Sequence, residues 1–242
     1  MESIKDKAAI VGMGCTKFGE NWDKNHDDMV IDAACEAYED AGIDPKDIQA
    51  AWYGTYVSGI TGQSLASPLN LSYIPITRVE NACASGSDAF RNACYAVAAG
   101  AYDIVLALGC DKFKDTGYTG LPGAEIMMGR WTGSTFRCQY TTAPAHFAMI
   151  ATRYFARYGL SPDEGKKILA LIAVKNHHNG SLHPKAHFQR EITLEQAMNA
   201  PIIAYPLGLF DCCGVSDGAA AAIITRADMA KQFRPDPVYV KA

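Results

Sequence analysis

Over its first hundred or so residues the chain alternates short apolar runs with segments of helical periodicity. Ala8-Ala9-Ile10-Val11-Gly12 is an apolar run closed by glycine and predicts a buried strand followed by a loop. From Asp27 to Ala41, apolar or small residues recur at Ile31, Ala34, Ala37, Tyr38 and Ala41, which is helical spacing, and Gly42 supplies the stop. Ala50–Val57 and Ile76–Glu80 predict two more strands. Ser85–Ala99 predicts a helix rich in small residues that ends at Gly100, and Asp103–Gly109 is the most clearly buried strand of all. Strand, helix and strand in this rhythm imply a layered α/β core with a mixed sheet.

The rhythm then breaks. Between Lys112 and Tyr205 the chain is rich in Gly, Thr, Pro and His, with helical stretches near Ala145–Tyr158 and Asp163–Asn176. This reads as an excursion from the sheet, a loop or lid domain. Asp217–Thr225 returns to a buried strand, Arg226–Phe233 predicts the start of another helix, and Val238-Tyr239-Val240 a further strand. The expected organisation is therefore a core over 1–111, an inserted loop domain over 112–205 and a return to the core over 206–242.

Composition narrows the class. In 242 residues, 49% are hydrophobic and 20% charged, the balance of a folded globular protein rather than a disordered one. The formal net charge is -4 with both signs mixed, which argues against a broad nucleic-acid surface. No apolar run approaches bilayer length, and the N-terminal Met1–Lys7 lacks the apolar core of a signal peptide. A cytoplasmic enzyme is the expectation. The eight cysteines (15, 35, 83, 94, 110, 138, 212 and 213) include no Cys-x-x-Cys pair, which removes zinc ribbons and thioredoxin-like chemistry.

One cysteine stands apart. In Val79-Glu80-Asn81-Ala82-Cys83-Ala84-Ser85-Gly86-Ser87 an expected strand enters a tight turn of small residues and a helix leaves it. The first turn of a helix carries unpaired N–H groups and the positive end of the macrodipole, and both favour a thiolate. An ordinary cysteine with a pKa of about 8.5 is only about 3% ionised at neutral pH, so a modest lowering multiplies the reactive species more than tenfold. The same N–H groups stabilise a developing oxyanion, and the small neighbours let a carbonyl approach.

The Cys83 segment resembles the nucleophile motif of thiolases, in which a Cys followed by small residues, Ser/Thr and Gly opens a buried helix. Gly12–Gly19, Lys175-Asn176-His177, His183-Pro184-Lys185-Ala186 and Asp217-Gly218-Ala219-Ala220-Ala221 match in order. Together they resemble the sterol-carrier-protein-X branch, including its acetyl-CoA acetyltransferase-like members, and within it benzoylsuccinyl-CoA thiolase subunits. The resemblance implies a thiolase-like fold. It also implies a two-stage acyl transfer, in which Cys83 attacks a 3-oxoacyl-CoA, keeps the acyl group and passes it to a second CoA thiol. Run in reverse, the same chemistry is a Claisen condensation. CoA enters as substrate, and no permanently bound cofactor is implied. The family's activating His, its Cys-x-Gly acid/base cysteine and its Asn/His-x-x-Phe oxyanion motif have no counterpart among these residues. The chain accordingly resembles the first three-fifths of a thiolase, and either a C-terminal half or a second polypeptide is expected to supply the remainder. A homodimer paired through this half, and an OB-fold and zinc-ribbon accessory subunit, are further partners that the resemblance implies. Two rival functions remain: a retro-aldol lyase on a hydroxyacyl-CoA, as in relatives without the cysteine, and a non-catalytic CoA-binding or scaffold subunit.

The resemblance places His146 where the loop domain often has a Met beside the pantetheine arm, and Cys213 where relatives carry a Ser contacting CoA. By itself His146 reads equally as a half-buried helix residue. Arg78, Arg91, Arg130 and Arg137 are candidates for CoA phosphates among which the sequence does not choose. His177, His178, His183 and His187 evoke a metal site, but Pro184 interrupts the His183/His187 pair and no carboxylate or Cys joins them at ligand spacing, so no metal is expected. Gly12-x-Gly14 evokes a dinucleotide loop, yet Lys17 occupies the third glycine position.

Overall fold

A computed structural model of the protein describes residues 3–116 and 142–241, which fall into two compact units, 3–116 with 216–241 and 142–215. In chain order the strands are β1 (Ala8–Cys15), β2 (Ala50–Gly54), β3 (Ile76–Val79), β4 (Ile104–Asp111), β5 (Ile202–Ala204), β6 (Leu207–Gly208), β7 (Gly218–Arg226) and β8 (Val238–Tyr239). The helices are α1 (His26–Ala41), α2 (Gln63–Leu69), α3 (Ser85–Ala98), α4 (Ala143–Tyr158), α5 (Pro162–Leu182) and α6 (Leu194–Met198).

Among the described residues the first unit is built on one six-stranded mixed sheet, ordered β3-β2-β4-β7-β1-β8. β2 runs parallel to both β3 and β4, whereas β7 is antiparallel to β4 and β1. Alternate residues of the strands feed two apolar layers. Val11, Tyr53, Leu106, Leu108 and Ile223 pack with Met29, Val30 and Ala33 of α1. Ala50, Val105, Ala107 and Ile224 pack with Ala93, Cys94 and Val97 of α3. Each fully buried large side chain, such as Met29 or Leu106, contributes roughly 1.5–3 kcal/mol relative to exposure. These layers give the expected α/β architecture with a mixed sheet.

β1 does not stop at Gly12. It continues to Cys15, and Gly12 and Gly14 are strand residues, not a phosphate-binding loop. A Cβ at Gly12 would stand 2.3 Å from the Ala37 carbonyl oxygen, and one at Gly14 would stand 2.2 Å from that of Ala33. The glycines therefore let α1 lie directly on the strand, which accounts for them without a dinucleotide. The expected strand Ala50–Val57 ends at Gly54, because the N–H groups beyond it are taken by a side chain, as described below. No regular α-helix follows Arg226. The segment forms turns and a short 3-10 turn, Ala230–Gln232, and Pro235 and Pro237 deny it room to propagate.

The second unit holds α4 and α5, the short α6 and the β5–β6 hairpin, around a small core of Ala170, Ala173, Ile192 and Ala197. Ser161 and Glu164 form a capping box at the start of α5, with Pro162 just inside it. α5 extends six residues beyond the expected Asn176, to Leu182, and ends ahead of Pro184. No helix among the described residues is long and apolar enough to cross a membrane.

Candidate active site at the carboxyl ends of the parallel strands

β2, β3 and β4 run in one direction, so their C-terminal residues Gly54, Val79 and Asp111 lie at the same end of the sheet. Ligands in α/β proteins gather at such ends. The chain leaving β3 makes the turn Asn81–Ala84 and enters α3, with Cys83 exposed in that turn. Ser85 fixes the turn from inside: its hydroxyl accepts from the Asn81 N–H at 2.9 Å and donates to the Ala82 carbonyl at 2.7 Å. Ala82 adopts φ 46°, a left-handed conformation that costs a non-glycine residue about 1 kcal/mol or more. The N-cap of α3, Ala84, offers no side-chain cap. Among the described residues the N–H groups of Gly86 and Ser87 find no hydrogen-bond partner, leaving two donors at the helix start beside Cys83.

Close approach of this helix to the sheet depends on Gly54. A Cβ there would stand 2.5 Å from the Ser85 carbonyl oxygen. Immediately after Gly54 comes the loop 55–59, whose polar backbone is taken up by three strand residues. Asp111 accepts from the Thr55 hydroxyl (2.9 Å) and from the N–H groups of Tyr56 (3.0 Å), Val57 (3.0 Å) and Ser58 (3.2 Å). Arg78 donates to the carbonyls of Gly59 (2.8 Å), Thr55 (3.0 Å) and Tyr56 (3.4 Å). The buried Tyr53 hydroxyl donates to the Ser58 carbonyl at 2.9 Å and meets His26 Nε2 at 2.6 Å. Tyr56 packs against Phe113 with ring centroids 6.2 Å apart. Its phenol is raised above the ordinary value by burial, and further by the acidic groups Glu80, Cys83 and Asp111 nearby.

A second polar knot lies behind this loop. Lys112 Nζ contacts Asp217 Oδ2 and Asp115 Oδ1, each at 2.8 Å, and lies over the Trp22 ring. Asp217 also accepts from the Lys114 N–H at 2.9 Å and the Asn21 N–H at 3.3 Å. Asp217 thus has a structural explanation at the head of β7.

The remaining sequence candidates are distributed as follows. His146 is half-buried in the first turn of α4, and Cys213 is exposed after the 3-10 turn Leu209–Asp211; both belong to the second unit, whereas Cys83 belongs to the first. His177 packs between Phe188 and Phe210, and His187 stacks on Phe188 at 4.2 Å. His178 pairs with Glu191. Among the described residues no group of three or more His, Cys, Asp or Glu is placed to hold a metal ion. Arg91 pairs with Asp88 one turn earlier on α3, and Arg130 and Arg137 lie outside the described residues, as does Cys138. Cys94 and Cys110 are buried, and burial pushes the Cys94 thiol up to about 11 and the Cys110 thiol higher still. Burial, then the neighbouring Asp211, also raises Cys212.

Asp111 and the architectural use of Arg78 are absent from the sequence reading. The signal that was there is a carboxylate closing an otherwise apolar strand, Ile104–Asp111, at the end of the sheet where ligands gather.

Residues 8–228 match the family described as thiolase, N-terminal domain. An acetyl-CoA acetyltransferase of Methanothermobacter thermautotrophicus is 40% identical over 240 residues, covering 97% of this chain and 61% of the relative. The benzoylsuccinyl-CoA thiolase subunit BbsB of Thauera aromatica is 33% identical over 235 residues, covering 95% of this chain and 58% of the relative. Among solved structures, the Ltp2-ChsH2(DUF35) aldolase superposes with a TM-score of 0.78 at 27% identity, over 99% of this chain and 61% of that one. The chain spans about three-fifths of the length of the curated relatives it matches.

Proposed function

This chain belongs to the thiolase family, and from that premise we propose that it supplies the nucleophile-bearing part of an acyl-CoA C-acyltransferase. The observation that carries the reading is the position of Cys83. It is exposed in the turn between β3 and α3, beside two helix N–H groups without a partner among the described residues, where three parallel strands end. Its thiolate attacks the β-keto carbonyl carbon of a 3-oxoacyl-CoA. The Cα–Cβ bond breaks, its electron pair leaves with the CoA-bearing fragment as a thioester enolate that takes a proton, and the remaining acyl group stays on the Cys83 sulfur as a thioester. A CoA thiol then attacks that thioester and releases the second acyl-CoA. Helix N–H groups beside the turn favour the negative charge that builds on oxygen in both steps.

CoA is the proposed co-substrate, with His146 and Cys213 contacting its pantetheine arm and no permanently bound cofactor. The second unit is proposed to act as the lid over that arm, in a cytoplasmic enzyme. The acid/base groups of the reaction are proposed to come from a C-terminal thiolase half. An OB-fold and zinc-ribbon subunit is a further proposed partner.

A retro-aldol reading is the second candidate, favoured by the aldolase among the structural neighbours. Thiolysis assays on the purified chain, alone and combined with a C-terminal thiolase half, separate the two. Turnover in the combination and its loss by several orders of magnitude in Cys83→Ala support acyl transfer. Hydroxyacyl-CoA cleavage that survives Cys83→Ala supports the lyase.

A further inference from the structure

Loop 55–59 leaves the sheet against the first turn of α3. A Cβ on Gly54 would stand 2.5 Å from the Ser85 carbonyl oxygen, and the Thr55 N–H donates to the carbonyl of Val79, the last residue of β3, at 3.3 Å. Three backbone N–H groups of the loop, the Thr55 hydroxyl and four of its carbonyls are held by Asp111, Arg78 and Tyr53, each from a different parallel strand. Regular sheet pairing would satisfy these groups with other backbone; here side chains do so, and the loop is held in one shape outside any strand. Such a concentration of charge-assisted bonds on five residues is more than chain reversal needs, since ordinary turns form with one backbone hydrogen bond or none.

We infer that Asp111 is a positioning residue for the Cys83 site: with Arg78 it fixes loop 55–59 as a wall beside the Cys83 turn, and so sets the size of group that reaches the thiol. The inference rests on the reading of Cys83 as nucleophile and extends it to substrate selection. Tyr56 is the wall's bulky member, held at its own N–H and carbonyl by Asp111 and Arg78 and braced by Phe113. Asp111 touches no reacting atom. It acts through the loop.

The test combines hydrogen exchange with thiol labelling on the whole chain. In the wild type the amides of Tyr56, Val57 and Ser58 are expected to exchange slowly, although Val57 is 37% exposed. Asp111→Ala is expected to speed those amides at least about tenfold, the loss of a bond to a charged acceptor, while Leu106 and Ile223 in the sheet keep their protection. The same variant is expected to raise the rate at which a bulky aryl maleimide labels Cys83 relative to iodoacetamide. Asp111→Asn retains one acceptor oxygen and is expected to lie between the two. Fast wild-type exchange at 56–58, or faster loop exchange with an unchanged labelling ratio, would overturn the inference. If Asp111→Ala loosens the sheet as well, Tyr56→Ala carries the test, since it leaves the clamp intact: a raised ratio supports the wall and an unchanged one removes it. Failure of wild-type Cys83 to label ahead of the other exposed thiols tells against the nucleophile reading instead, a result separable from the loop exchange.

Discussion

Lys112 Nζ lies 2.8 Å from Asp217 Oδ2, with the two side chains 4% and 0% exposed. Two charges so far from water are tolerated because each has several partners: Asp115 and the Trp22 ring for the lysine, two backbone N–H groups for the aspartate. Lys112→Met leaves a buried carboxylate without its cation, and such a loss costs roughly 3–5 kcal/mol. A free energy of unfolding lower by that margin, read from a urea midpoint shifted down at unchanged m, is the expected result.

The same pair predicts a pH dependence. Burial alone pulls the Lys112 ammonium down, but its hydrogen bonds to Asp115 and Asp217 outweigh that and leave it above the ordinary lysine value of 10.5. A group whose folded pKa is raised contributes stability that is fully present below its unfolded pKa and is lost as pH rises through the folded one. Stability of the wild type should therefore fall as pH rises past 10.5, with a component that Lys112→Met lacks. Parallel pH profiles of the two proteins in urea unfolding would contradict this.

Gly54, packed against the start of α3, and Gly86, within that start, predict opposite outcomes. Gly54→Ala drives a methyl group to 2.5 Å from the Ser85 carbonyl oxygen, an overpacking that costs about 1–3 kcal/mol and displaces the Cys83 turn. Gly86→Ala meets nothing within 4 Å, and replacing a helical glycine gains roughly 0.5–1 kcal/mol. Chemical denaturation measures both. Destabilisation by Gly86→Ala would mean that its backbone is more constrained than this geometry allows.

Much of the first unit was legible because its signals are local. Gly42 and Gly100 stop α1 and α3 at positive φ, and the apolar runs of β4 and β7 form central strands at the expected places. Sequence missed what depends on distant partners. Ala50–Val57 has the composition of a single strand, but Asp111, more than fifty residues away, captures its last N–H groups and turns it into a loop. Gly12 and Gly14 look like a phosphate loop until α1 is placed against them. The short α2, with Pro68 inside it, carries too few residues for a period to show. At the candidate site, the strand-turn-helix around Cys83 was visible in the small residues of its own segment. Arg78 was not visible as a loop anchor, because a lone arginine has no local pattern.

A homodimer is the expected assembly. Among the described residues β3 is hydrogen-bonded to β2 alone, and such a strand edge is a template for pairing. Sedimentation velocity over a concentration series should show a dimer, and a single monomeric species throughout would contradict pairing through this edge.

The central claim concerns one thiol, and competitive alkylation tests it most directly. Among the described cysteines Cys35, Cys83 and Cys213 are exposed, while Cys94 and Cys110 are buried and held well above the ordinary thiol range. Limiting iodoacetamide followed by peptide mapping, with and without saturating acyl-CoA, ranks all eight cysteines. The account predicts that Cys83 is labelled first and that acyl-CoA protects it. Faster labelling of Cys35, Cys138, Cys212 or Cys213, or a Cys83 rate unmoved by acyl-CoA, would contradict it.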